Sequence, residues 1–121
     1  MRMRRPQRTA RLRGAAARGV VLVTTLLALA ATAGEGDTVE VTIAGYRFEP
    51  ARLTLKAGTT VRWINRERRT SHSVYFTGEG AFESARLLPG ESWSYRFDRT
   101  GARDYHCGPH PEMRGHTLAT E

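Results

Sequence analysis

Thr38-Val39-Glu40-Val41-Thr42-Ile43 alternates apolar and polar residues without a break. Val39, Val41 and Ile43 fall on one face with period two, the pattern of a strand buried on one side. The same rhythm recurs downstream. Leu53 and Leu55 alternate with Arg52, Thr54 and Lys56, and Thr60-Val61-Arg62-Trp63-Ile64 follows after an Ala57-Gly58 turn. Pro50 ends any strand over Tyr46-Arg47-Phe48-Glu49. Asn65 to Ser71 reads as a polar, charge-rich loop. His72-Ser73-Val74-Tyr75-Phe76 is predicted as the next strand, with His72, Val74 and Phe76 sharing its apolar face. Residues 81–88 are irregular, with room for one short strand, and Pro89-Gly90 is a turn. Trp93, Tyr95 and Phe97 alternate with Ser92, Ser94, Arg96 and Asp98, and Thr100-Gly101 turns the chain again. A final strand runs from Gly115 to Thr120, with Thr117 and Ala119 on one face. Short strands punctuated by turns, with no helical periodicity, predict an all-β protein, a β-sandwich of about seven to eight strands.

The chemistry gathers in Cys107-Gly108-Pro109-His110-Pro111-Glu112-Met113, which holds the only cysteine of the chain. A thiolate, an imidazole and a thioether at i, i+3 and i+6 form a soft donor set, suited to copper rather than magnesium, calcium or manganese. Two His, one Cys and a weak axial Met are the blue-copper set; this stretch supplies three of the four. His72, 35 positions before Cys107, is the candidate for the second His. The same spacing also fits one face of a helix, but Pro109 and Pro111 remove donors and favour extended neighbours. A structural zinc site usually has more Cys or His, and the Cys-x-x-Cys-His of a c-type haem site is absent. Strand parity puts Tyr105 and Cys107 on the core face and His106 outward, so His106 is not expected to bind metal. His116, just past the loop, reads as a surface histidine.

The charge of the 121-residue chain is uneven. Arg2, Arg4, Arg5, Arg8, Arg11, Arg13 and Arg18 precede residue 19 with no acid among them. An apolar run from Val20 to Ala31 follows and ends in Ala31-Thr32-Ala33. A basic start, a short apolar run and small residues predict a cleaved secretory signal peptide over 1–33. The alternative is a membrane anchor, for which the run falls short of the ~20 apolar residues of a span. Arg4-Arg5 leaves the export route open. The remaining domain, 34–121, carries twelve basic and twelve acidic residues and is formally neutral, so the overall +7 belongs to the leader and gives no nucleic-acid footprint. A domain this small buries only about 60–65% of its unfolded surface. One Cys cannot form an internal disulfide, whereas a bound metal would add stability and protect the lone thiol.

Tyr46-x-Phe48-x-Pro50, Gly58-Thr59-x-Val61-x-Trp63-x-Asn65 and His72, followed by Tyr105-x-Cys107-x-x-His110-Pro111-x-Met113-x-Gly115, resemble the pattern of the cupredoxins, the blue copper proteins. The likeness covers nearly all of 39–121, and two residues between His110 and Met113 is the short spacing of the amicyanin-like members. The resemblance implies a Greek-key sandwich with a type 1 copper at one end, cycling Cu(II)/Cu(I) and held by His72, Cys107, His110 and Met113. It also implies that Asn65 ties the two ligand-bearing segments together. This chain departs from the pattern at Ser73, where many relatives have Asn, and at Glu112, where amicyanins carry an aromatic residue. Between Ala33 and Val39 there is no room for the extra amicyanin strand.

The function expected is a periplasmic one-electron carrier between a redox donor and acceptor, monomeric, with no membrane span once the leader is removed. A copper storage or delivery module would use the same ligands, but the domain has no Met-rich or His-rich tract. An oxidase or reductase would need further His clusters or a second Cys. Arg66, Arg68 and Arg69 cluster just before His72 with only Glu67 among them. They form either an ordinary solvated loop or a positive rim that steers an acidic partner.

Overall fold

A computed structural model describes residues 36–121; the predicted signal peptide lies outside the described residues. The described chain is all-β, with nine strands in two sheets. One sheet has the order β2 (Arg47–Glu49), β1 (Thr38–Ala44), β4 (Thr59–Asn65), β7 (Ser92–Phe97). The other runs β3 (Arg52–Lys56), β9 (Arg114–Thr120), β8 (Gly101–His106), β5 (Tyr75–Phe76), β6 (Phe82–Glu83). Three very short strands, β2, β5 and β6, carry the number past the seven to eight read from periodicity. The chain changes sheet after β2, β3, β4, β6 and β7, the interleaving that a sandwich needs for both inner faces to share one core.

The alternation decides which faces meet. Val41 and Ile43 of β1, Val61 and Trp63 of β4 and Phe97 of β7 point inward from the first sheet. Leu55, Phe76, Tyr105, Thr117 and Ala119 meet them from the second. Trp63 is fully buried at the centre, with the rings of Phe76 and Tyr105 edge-on at 6.0 and 5.5 Å. Each large apolar side chain buried here contributes about 1.5–3 kcal/mol. Gly115 lies opposite Tyr105 in the β8–β9 register, and a Cβ there would run into the Tyr105 ring. The phenol thus packs flat over the backbone of its neighbour strand.

β1 and β4 pair in parallel and end together, so the turn after β1 and the loop after β4 emerge at the same end of the sandwich. The β6–β7 connection joins them there, because Gly90 N donates to Asn65 O and Asn65 N donates to Glu91 O.

Two expectations change. His72 to Phe76 is not one continuous strand: only Tyr75 and Phe76 pair as β5, and His72 makes an isolated bridge with Leu87. The backbone donors between them are taken elsewhere, Ser73 N by Cys107 Sγ and Val74 N by Ser84 Oγ. As a result His72, Ser73 and Val74 are all fully buried, instead of alternating. Asn65, read as the start of a polar loop, is the buried last residue of β4.

A candidate metal centre at one end of the sandwich

β8 delivers Cys107 on the core side, beyond Tyr105, as parity requires. The chain then turns sharply. Met113 N donates to His110 O and Cys107 N donates to Met113 O, both at 2.9 Å, which closes residues 107–113 into a compact loop before β9. Pro109 and Pro111 have no amide hydrogen to satisfy and sit exposed on either side of His110. His72 arrives from the β4–β5 connection and is fully buried.

Three donor atoms converge. Cys107 Sγ lies 3.5 Å from His72 Nδ1 and 3.6 Å from His110 Nδ1, and the two Nδ1 atoms are 3.2 Å apart. A point equidistant from all three is about 2 Å from each, the bond length of an imidazole to a first-row metal ion. Two imidazole nitrogens and a thiol sulfur this close together form a donor set that a single metal ion could share. Among the described residues this is the one group of three or more such side chains placed to hold a metal. Met113, 2% exposed, is buried on the same loop within the hydrophobic core.

The surroundings hold these groups in place. Ser73 N donates to Cys107 Sγ at 3.4 Å. Ser73 Oγ accepts from Gly108 N at 2.9 Å and donates to Glu83 Oε1 at 2.5 Å, a short hydrogen bond. A Cβ on Gly108 would meet Glu83 Oε1 and Ser73 Oγ, so a larger residue here would push this hydrogen-bonded pair aside. Tyr46 packs edge-on against both imidazoles, with ring centroids 5.5 Å from His72 and 5.0 Å from His110. It adopts a left-handed backbone with φ of 56°, strained for so bulky a residue, and its N donates to Glu67 Oε1 at 2.8 Å. Glu67 Oε1 also lies 3.4 Å from His72 Nε2, which has no hydrogen-bond partner of ordinary geometry among the described residues. Burial lowers the His72 pKa below the ordinary histidine value. Glu67 opposes that shift, and the charges of His110 and Arg86 reinforce it. His72 is therefore held neutral, with a lone pair for a metal.

Asn65 has a different task from the one its resemblance implied. Its Nδ2 donates to Thr70 O and Leu87 O, both at 2.9 Å, and its Oδ1 accepts from Glu67 N. It braces the approach to His72, while Ser73 makes the tie to the cysteine loop. Sequence reading marked Ser73 only as a departure, carried Tyr46 only as part of the family pattern, and missed Glu83. His106 stays outside the cluster, as parity required, with Nδ1 bonded to Cys107 O at 2.8 Å. His116 is half-buried on β9 and pairs with the Asp104 carboxylate opposite it.

Fold and donor set together define a metal-binding β-sandwich with a His₂Cys centre. The chain belongs to the cupredoxin family: the model of the cupredoxin-like domain matches residues 17–119, a span that reaches into the predicted leader. The chain is similar to the amicyanin of Paracoccus denitrificans, 41% identical over 90 residues, covering 71% of this chain and 67% of that protein. The amicyanin of Paracoccus versutus is 35% identical over 109 residues, covering 87% and 82%. Among solved structures, a reduced Cu(I) form of an amicyanin variant superposes with a TM-score of 0.65 at 37% identity, covering 69% of this chain and 82% of that one. His72, Cys107 and His110 thus form a candidate copper site.

Proposed function

We propose that this protein is a blue copper electron carrier, with His72 Nδ1, Cys107 Sγ and His110 Nδ1 as the equatorial ligands and Met113 as the weak axial one. The observation that carries the reading is the triangle of two imidazole nitrogens and one sulfur, 3.2–3.6 Å on a side, preset by the fold. Copper bound there gives or takes one electron as it cycles between Cu(II) and Cu(I). The chain's own contribution is to hold a geometry that suits both states. Ser73 and Glu83 fix the cysteine loop, the Asn65 bonds fix the approach to His72, and Tyr46 limits the movement of both imidazoles. Less rearrangement on electron transfer means a lower barrier.

In this reading residues 1–33 export the chain to the periplasm and are removed. Residues 34–121 work there as a monomer, accepting an electron from one redox protein and passing it to another. No helix among the described residues is long and apolar enough to cross a membrane.

Copper titration followed by voltammetry tests the proposal. A stoichiometric site with a reversible one-electron wave, retaining its copper through repeated cycles against a chelator, is the expected result. Release of copper to the chelator upon reduction would identify a delivery protein instead.

A further inference from the structure

Glu67 is the only acid in the loop between β4 and His72, and it is turned away from solvent. Its carboxylate accepts from Tyr46 N and faces His72, leaving the side chain 16% exposed. Arg66, Arg68 and Arg69 of the same loop are exposed, and none of them has a carboxylate within ion-pair distance among the described residues. The loop is not remote from the metal centre. Tyr46 joins the two: its hydroxyl is 3.2 Å from Thr70 Oγ1, and its half-exposed ring covers His72 and His110. A formally neutral domain therefore carries three exposed arginines, without ion-pair partners among the described residues, on a loop that Tyr46 joins to the metal centre, for a net loop charge of +2 once Glu67 is counted.

We infer that the Arg66, Arg68 and Arg69 rim docks an acidic redox protein against the Tyr46 end of the sandwich. The inference rests on the electron-carrier reading and adds the chemical class of the partner. A membrane surface would also attract arginines, but it would gain nothing from their placement at the electron exit. Charges so placed raise the rate of encounter, by ~10–1000-fold for strongly steered pairs, and salt screens them, with a Debye length of ~30 Å at 0.01 M and ~8 Å at 0.15 M.

The test is stopped-flow reduction of the copper-loaded protein in its processed form, residues 34–121, by a reduced acidic c-type cytochrome, from about 0.01 to about 0.15 M ionic strength. Hexaammineruthenium(II), a small cation, serves as the second reductant. With the cytochrome, the wild-type rate should fall steeply as salt rises. R68Q/R69Q should react ~3–10-fold more slowly at low salt, with a flattened salt slope and an unchanged visible spectrum. With the ruthenium cation the variant should react at least as fast as wild type. Equal salt slopes for both proteins with the cytochrome would overturn the docking inference while leaving the carrier intact. So would binding to anionic phosphatidylglycerol vesicles that R68Q/R69Q abolishes without altering the cytochrome kinetics. A Cu(II) protein that neither reductant reduces would instead overturn the carrier reading, and the docking inference with it.

Discussion

The backbone N–H of Ser73 donates to Cys107 Sγ across 3.4 Å, although 34 residues separate the two in sequence. The Ser73 hydroxyl reinforces the tie, standing between Gly108 N and the Glu83 carboxylate. Ser73→Ala keeps the backbone contact to sulfur but leaves the Gly108 amide and the Glu83 carboxylate without this partner. Unfolding of the metal-free variant in urea should show a loss of ~1–3 kcal/mol. Its copper-loaded form should keep its colour, because the donor triangle is untouched. Glu83→Gln, which preserves the Gly108 bond, should lose less. A Ser73→Ala variant as stable as wild type would show that the loop needs no such tie.

Met113 shares the 107–113 loop with two donors of the triangle, and its backbone closes that loop. If its sulfur is the weak axial ligand, Met113→Gln should retain the visible band and lower the reduction potential, because an oxygen donor favours Cu(II) over Cu(I). Voltammetry of the two proteins under one buffer decides it. An unchanged potential would leave Met113 as core packing alone.

Much of this was legible in the sequence because sheet alternation has a period of two and the ligand loop is written contiguously. Val41, Ile43, Val61, Trp63, Phe97 and Tyr105 were assignable to the core by parity, and so was the outward turn of His106. Parity failed at His72–Val74, where Cys107 Sγ and Ser84 Oγ replace strand partners and all three residues become buried. No local pattern encodes such acceptors, which arrive from 34 and 10 positions away. Glu83 gave no signal for the same reason: its role exists only once β6 folds beside the cysteine loop. Glu67 looked like one charge among four in a solvated loop, and only the fold shows that it turns inward and forms no ion pair with the arginines beside it.

Burial pushes the Tyr105 phenol up to about 12 from its ordinary value near 10. The folded state therefore holds this proton where the unfolded chain has lost it. The resulting stability, ~2–3 kcal/mol, is fully present below pH ~10 and disappears as pH rises toward 12. Tyrosinate absorbance in an alkaline titration should show one tyrosine ionising late, together with unfolding, and Tyr105→Phe should remove that phase. Gly115→Ala tests the same contact from the opposite strand. The new methyl would force the Tyr105 ring aside and cost ~1–3 kcal/mol of stability, read by thermal unfolding.

The central claim is that the Cys107 thiolate is a copper ligand, and the visible absorption spectrum of the Cu(II)-loaded protein tests it most directly. An intense sulfur-to-copper charge-transfer band in the wild type, lost in Cys107→Ser even where copper still binds, is the predicted result. Copper bound with only weak absorption in the wild type, or an intense band that survives in Cys107→Ser, would contradict it.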